Sequence, residues 1–145
     1  MNSIIKITWP SLKEEIKVKL LEDINPDLCE QIKNTLPFES IQSHAVVAGK
    51  QMYCPYRLVT RLSDLTYENM NEQPIGRMNI ELDFQYLAIN YGPMTEPVPA
   101  LPVGQILEED IPNLMQVGEK VWNNLLYSDD YLIVHMTLEG RFGDE

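Results

Sequence analysis

Hydrophobic and polar residues alternate along most of the chain with a period of two, which is typical of β-strands that bury one face. The cleanest alternation covers residues 76–91, where Met78 and Ile80 face one way while Arg77 and Asn79 face the other. Shorter alternating or β-branched stretches predict further strands at residues 3–9, 15–21, 38–47, 51–54, 56–61 and 131–138.

Two stretches change to a helical period. The first has Asn25 as a candidate cap, Pro26 at the first helical position and Pro37 as the stop. The second follows the acidic residues 108–110 and has a long apolar stripe. Its members are Ile111, Leu114, Met115, Gly118, Val121, Trp122, Leu125 and Leu126.

Two segments interrupt this pattern. Residues 63–74 are polar and predict a functional or mobile loop. Residues 92–104 contain four prolines, which predicts a stiff extended loop with neither a helix nor a central strand. Alternating strands with one helix early and one late favour a mainly β fold, an antiparallel barrel of about eight strands closed by two helices. At 145 residues we expect one domain, residues 1–145.

Composition limits the partners. The formal charge of −11 repels phosphate backbones and anionic lipid, so we expect neither nucleic-acid nor membrane binding. We expect no secretory leader at the N-terminus, and we expect Cys29 and Cys54 to be free thiols in the cytoplasm. The histidines, His44 and His135, lack carboxylates at ligand spacing, so no metal is predicted. An exposed Trp, Tyr or edge strand could support a homo-oligomer.

The hairpin around Gly49 and Lys50 suggests one pair of functional side chains. If these two residues form the turn, His44 lies opposite Pro55, and His44 and Tyr53 become diagonal neighbours on one face. The pairing depends on the register, because a slip of one residue would move Tyr53 to the other face. His44 next to Tyr53 would also be the base that activates a Cys54 nucleophile, the alternative to a buried structural thiol.

Four segments carry a family resemblance. They are the helix with Asn25-Pro26 and Cys29 that ends in Leu36-Pro37-Phe38, residues 41–53 with Ser43-His44 and Met52-Tyr53, Tyr91-Gly92-Pro93 with Glu96-Pro97, and the late helix with Val117-Gly118, Val121 and Trp122-Asn123. Together they resemble the small bacterial cyclophilin-like proteins, nearest a family similar to the N-terminal domain of cucumopine synthase. The resemblance implies a cyclophilin-like closed barrel whose ligand groove lies outside, since side chains fill the interior.

Cucumopine synthase condenses L-histidine with 2-oxoglutarate and closes a ring by a Pictet–Spengler reaction, without a redox cofactor. The resemblance therefore implies opine-type synthesis with cations for the carboxylates, a donor near the departing carbonyl oxygen and a base for the ring proton. Candidate cations are Arg57, Arg61 and Arg77. Candidate donors are Tyr53, Tyr91 and His44, and candidate bases are Glu81, Glu96 and His44.

Two other functions stay open. The barrel could be a non-catalytic module for ligand binding or oligomerisation. The third function is prolyl isomerisation, but no segment matches the Phe-His-Arg strand of eukaryotic-type cyclophilins. One strand face carries a row of polar side chains: Arg77, Asn79, Glu81, Asp83 and Gln85. The pattern favours a solvated outer surface with charge pairing between strands, and the resemblance offers the alternative that Arg77 and Glu81 line the groove.

Overall fold

A computed structural model describes residues 2–141. Within this range the chain forms nine β-strands and two α-helices. In chain order they are β1 (Ser3–Trp9), β2 (Glu14–Leu20), α1 (Pro26–Lys33), β3 (Phe38–His44), β4 (Gly49–Pro55), β5 (Glu68–Asn69), β6 (Arg77–Glu81), β7 (Tyr86–Met94), β8 (Pro99–Ile106), α2 (Ile111–Tyr127) and β9 (Leu132–Arg141). The mainly β prediction with two helices is confirmed.

Eight of these strands close into an antiparallel barrel. Around the barrel the order is β2, β1, β9, β3, β4, β7, β6 and β8, and the pairing of β8 with β2 completes the ring. The short strand β5 pairs with β8 outside the ring. Closure removes the free strand edges that would otherwise invite pairing with another chain.

The barrel interior is a packed hydrophobic core. Fully buried side chains from all sides meet there, among them Ile5, Ile7, Trp9, Ile16, Met52 and Met78. α1 contributes Leu28, Cys29 and Ile32, and α2 contributes Leu114, Val117 and Val121 while packing against β2, β3, β4 and β7. Because side chains fill the interior, space for a ligand must be sought outside the barrel or at its ends.

The long alternation at residues 76–91 is a hairpin rather than one strand. β6 ends at Glu81 and β7 begins at Tyr86, with residues 82–85 forming the turn between them. Gln85 has a φ of 62°, and Phe84 in the turn is 77% exposed. Residues 82–85 keep the alternation of apolar and polar side chains, so the sequence pattern does not reveal the turn.

Two further predictions about strands are wrong. In the proline-rich segment, residues 92–94 belong to β7 and residues 99–104 belong to β8. Pro102 lies opposite Asn79, next to the register shift between Met78 and Asn79. A proline is tolerated at such an irregularity because the ladder there does not need its missing N–H. Conversely, residues 56–67 form no strand and cross the surface without regular structure.

The helices begin where predicted but differ in detail. Asn25 does not cap α1, because its side-chain amide instead bonds the backbone of Thr66 and the carbonyl of Pro102. This ties the start of α1 to the irregular segment and to β8. On α2 the predicted stripe is too wide, since Met115, Leu125 and Leu126 are exposed. Neither helix of residues 2–141 has the length and apolar character to cross a membrane.

Candidate functional site

Two polar clusters lie on opposite faces of the same strands. Side chains alternate across a strand, so Gln51 and Asn90 point outward from β4 and β7, whereas their chain neighbours Met52 and Tyr91 point inward. The outer cluster contains primary amides and one ion pair. The inner cluster centres on a histidine–tyrosine pair under α2.

The outer cluster is a chain of hydrogen-bonded amides, here called the amide network: Gln51, Gln73, Asn79 and Asn90. Gln51 donates to Asn90 Oδ1 at 3.0 Å, and Asn90 donates to Gln73 Oε1 at 3.2 Å. Gln73 and Asn79 form a reciprocal pair of hydrogen bonds at 2.9 and 2.8 Å. Gln51, Asn79 and Asn90 are 4% exposed or less, so these bonds replace water for groups that are costly to bury unpaired.

An ion pair adjoins the amide network at Gln73. Arg77 donates from Nε and Nη2 to the two oxygens of Glu68 at 2.9 and 2.7 Å, and its third nitrogen bonds Gln105. Glu68 Oε1 also accepts from Gln73 at 3.0 Å. The hydrogen bonds from Arg77 outweigh burial and hold the pKa of Glu68 below its ordinary value. Glu68 is therefore a fixed carboxylate beside the amides.

A short cover segment, residues 70–74, lies over the amide network. It consists of a single 3-10 turn, Met70–Glu72, followed by Gln73 and Pro74. Besides Gln73, its attachments include a backbone hydrogen bond from Met70 to Val98 and a 4.0 Å contact of the Met70 sulfur with Gln51. The backbone carbonyl of Pro74 also accepts from Arg77 at 3.3 Å, so the segment is joined to the barrel at both ends and by the Gln73 side chain between them.

An aromatic pair adjoins the amide network on the same outer face. Tyr53 and Tyr86 have ring centroids 5.1 Å apart. Tyr53 and Asn79 both lie opposite Ala88 in the register, so only this small side chain separates them along the ladder. Tyr86 lies opposite Glu81. The outer face thus brings aromatic, amide and carboxylate groups together.

The two candidate carboxylates, Glu81 and Glu96, influence the ionisation of Tyr86. Burial raises its pKa above the ordinary value for tyrosine, and the negative charges of Glu81 and Glu96 add to that shift. Both carboxylates are therefore within electrostatic range of the Tyr86 ring. The phenol stays protonated near neutral pH and can donate a hydrogen bond.

The inner cluster is the pair His44 and Tyr91. His44 Nδ1 lies 2.6 Å from the carbonyl of Ala45, which fixes the hydrogen on Nδ1, so Nε2 accepts from the Tyr91 hydroxyl at 2.7 Å. Burial lowers the pKa of His44 and raises that of Tyr91 to about 12. Trp122 of α2 lies 4.7 Å from the His44 ring, centroid to centroid.

The predicted pairing of His44 with Tyr53 is wrong. In the hairpin Ser43 pairs with Tyr53 and His44 pairs with Met52, a register three residues away from the predicted one. An odd shift reverses the face, because the side-chain period is two. The reason is a wider connection: residues 45–48 form the loop, and Gly49 already begins β4 with a φ of 125°.

The other predicted residues divide between the two clusters and the surface. Arg77 and Glu81 lie on the outer face as expected, and Tyr91 lies inside. Arg57 and Arg61 are exposed in the irregular segment, where Arg57 lines an open cavity of about 580 Å³ with Pro55, Tyr56, Val59 and Gln85. Both cysteines are free and buried, and burial raises the pKa of Cys54 to about 12, which disfavours a nucleophilic role.

Sequence reasoning missed most of the amide network. Asn79 was placed on the correct face, but Gln51, Gln73, Asn90 and Glu68 were not singled out. Glutamine and asparagine are ordinary surface residues, and only the register of β4 and β7 makes two of them neighbours. Within residues 2–141, no three His, Cys, Asp or Glu side chains converge on a metal site.

Comparisons with known proteins agree with the barrel. No protein-family model and no curated protein match the sequence. A solved structure of McbB in complex with tryptophan superposes with a TM-score of 0.82 and 29% identity over 97% of this chain. The chain spans 45% of that McbB chain, less than half its length. This chain therefore carries a barrel related to the matched part of McbB.

A second solved structure supports the fold alone. The solution structure of the hypothetical protein AF2241 from Archaeoglobus fulgidus superposes with a TM-score of 0.56 and 16% identity, covering 95% of both chains. At that identity the likeness concerns architecture and carries no information about a site.

Proposed function

We propose that the outer face binds an α-amino acid with an aromatic side chain and condenses it with a 2-oxo acid, without a cofactor, in a Pictet–Spengler-type reaction. The observation that carries the proposal is the contiguous arrangement of the Tyr53–Tyr86 pair, the amide network and the Glu81 carboxylate on one face. The related barrel of McbB, solved with tryptophan, supports an aromatic amino acid as ligand. The resemblance to cucumopine synthase supports the condensation.

The reaction balances without an oxidant. The amine adds to the oxo carbon, and the resulting carbinolamine loses water to give an iminium ion. The nucleophilic ring atom of the side chain then attacks the iminium carbon, and a base removes the proton from that ring atom. Tryptophan and histidine both have the required spacing, with the aromatic ring and the amine on adjacent carbons.

The residues of the outer face match these steps. The Tyr86 phenol, kept protonated by its raised pKa, can donate to the departing oxygen. Glu81 and Glu96 are the candidates for the base that takes the ring proton. Tyr53 supplies an aromatic surface against which the substrate ring can stack. Arg57, in the cavity that borders Pro55, can attract a carboxylate of the oxo acid.

The test is mass spectrometry on purified protein incubated with L-tryptophan or L-histidine and 2-oxoglutarate, next to a protein-free control. We expect a product with the combined mass of both substrates less one water, formed faster than in the control. Protein that binds the amino acid but never forms this product would instead be a non-catalytic binding module.

Three variants test which carboxylate removes the ring proton. Glu81→Gln and Glu96→Gln keep the size of the side chain and remove its charge, and we expect one of them to lower kcat by roughly 100-fold. Asp83→Asn is the matched control, because Asp83 is exposed in the adjoining turn. Equal, small effects of all three changes would contradict the assignment of the base to this face.

A further inference from the structure

The side chain of Gln73 fills a position with a defined pattern of partners. Its oxygen accepts from two donors, Asn79 Nδ2 at 2.8 Å and Asn90 Nδ2 at 3.2 Å. Its nitrogen donates to two acceptors, Asn79 Oδ1 at 2.9 Å and Glu68 Oε1 at 3.0 Å. The position thus suits a ligand that has an acceptor and a donor on neighbouring atoms.

The head group of an α-amino acid fits the same pattern. Its carboxylate accepts and its ammonium donates, and both are attached to one carbon. The ammonium would face the Glu68 carboxylate, which Arg77 of β6 holds in place. A hydrogen bond from a charged ammonium to this carboxylate is stronger than one from the neutral amide of Gln73. The carboxylate would face the amide N–H groups of Asn79 and Asn90.

We propose that Gln73 is an internal substitute for the head group of the amino acid substrate, and that the substrate binds by displacing the Gln73 side chain from Asn79, Asn90 and Glu68. This rests on the proposed function for the identity of the ligand class. The displacement requires movement of the cover segment or of Gln73 alone, whereas Glu68 stays anchored by Arg77 and by the pairing of β5 with β8.

The strand register places the Tyr53 ring within reach of the side chain of a substrate bound at Asn79. Ala88 lies opposite both Asn79 and Tyr53, so a head group held at Asn79 can extend its side chain over Ala88 to the Tyr53 ring. The three positions lie on successive strands about 5 Å apart, a span that suits an aromatic amino acid. Head-group recognition and the aromatic surface are thereby parts of one site.

Calorimetric titration with three probes tests the ligand chemistry: L-tryptophan, tryptamine without the carboxylate, and indole-3-propionate without the ammonium. We expect both truncated ligands to bind at least roughly 10-fold more weakly than L-tryptophan, because each leaves buried hydrogen-bonding groups unpaired. Tryptamine or indole-3-propionate binding as tightly as L-tryptophan would overturn the proposal, and so would no binding of L-tryptophan.

Two variants test the role of Gln73 itself. Gln73→Ala removes the internal competitor but keeps Asn79, Asn90 and Glu68, so L-tryptophan should bind several-fold more tightly than to the wild type. Asn79→Ala should weaken binding, and Asn71→Ala is the control, because Asn71 is exposed on the same turn. Weaker binding to Gln73→Ala would overturn the proposal, even if Asn79→Ala failed to fold.

The two proposals fail in different ways. Head-group-dependent binding without any condensation product leaves the role of Gln73 intact and refutes the reaction. A condensation that accepts tryptamine with the same KM as L-tryptophan confirms the reaction and refutes the role of Gln73.

Discussion

Asn90 and Tyr91 are neighbours in β7 and belong to different parts of the molecule. Asn90 points outward into the amide network, where its side chain is bonded to the side chains of Gln51 and Gln73. Tyr91 points inward, where its hydroxyl is bonded to His44 and its ring packs against α2. Both groups are buried and satisfied, yet only the outer one can be exposed without moving a helix.

This difference separates a stabilising cluster from a binding cluster. The inner pair joins β3 to β7 and lies under α2, so its disruption should destabilise the barrel and leave outer ligand contacts unchanged. The outer cluster is covered by a five-residue segment, so its disruption should alter ligand affinity more than stability. Four changes to the chain test the contrast.

The largest effect is expected from Tyr91→Ala. It removes a buried ring and leaves His44 Nε2 without a partner, which should lower the free energy of unfolding by about 3–5 kcal/mol. Urea unfolding followed by circular dichroism measures it, and Tyr127→Ala, at an exposed position, is the control. Loss of L-tryptophan affinity in folded Tyr91→Ala protein would contradict the separation of the clusters.

Gly118→Ala should have the next largest effect. A Cβ at Gly118 would lie 2.5 Å from three ring atoms of Tyr91, so α2 or the ring must shift, at a cost of about 1–3 kcal/mol. Gly140→Ala is the matched control, because a Cβ there meets nothing within 4 Å. Equal unfolding midpoints for the two variants would show that the contact between α2 and Tyr91 is not as tight as described.

Arg77→Lys tests the outer cluster. A lysine cannot reproduce the two parallel hydrogen bonds that orient Glu68, so we expect a loss of about 1–2 kcal/mol in stability. Glu68 should then bind an ammonium less well, which calorimetry with L-tryptophan would detect as lower affinity. Arg61→Lys, in the exposed irregular segment, controls for the change of residue type. Unchanged affinity in Arg77→Lys would separate the ion pair from ligand binding.

The smallest effect concerns pH. Burial lowers the pKa of His44 in the folded state, so the unfolded chain takes up the proton first, and stability should fall as pH decreases below about 6.5. The nearby Glu119 charge opposes this shift. A His44→Gln variant should have a flatter stability profile in this window, whereas losses from Glu68 and Glu22 begin only below their ordinary pKa. An identical slope in His44→Gln and wild type would contradict this origin.

The sequence predicts the barrel because strand alternation and helix signals are local. It misses the turn at residues 82–85, since hydrophobic residues there keep the strand period. It also misplaces His44 relative to Tyr53, because the length of a hairpin loop decides the register and Gly49 suits either arrangement. The amide network depends on long-range register and on a loop with no periodic pattern, so no local signal could assemble it.

The most direct test of the contrast is nuclear magnetic resonance of ¹⁵N-labelled protein titrated with L-tryptophan, observing side-chain amide and histidine signals together. We predict that the NH₂ signals of Gln73, Asn79 and Asn90 shift with ligand, while the His44 ring signals do not. Shifts at His44 with unchanged amide signals would show that the ligand binds under α2 and would contradict an outer-face site.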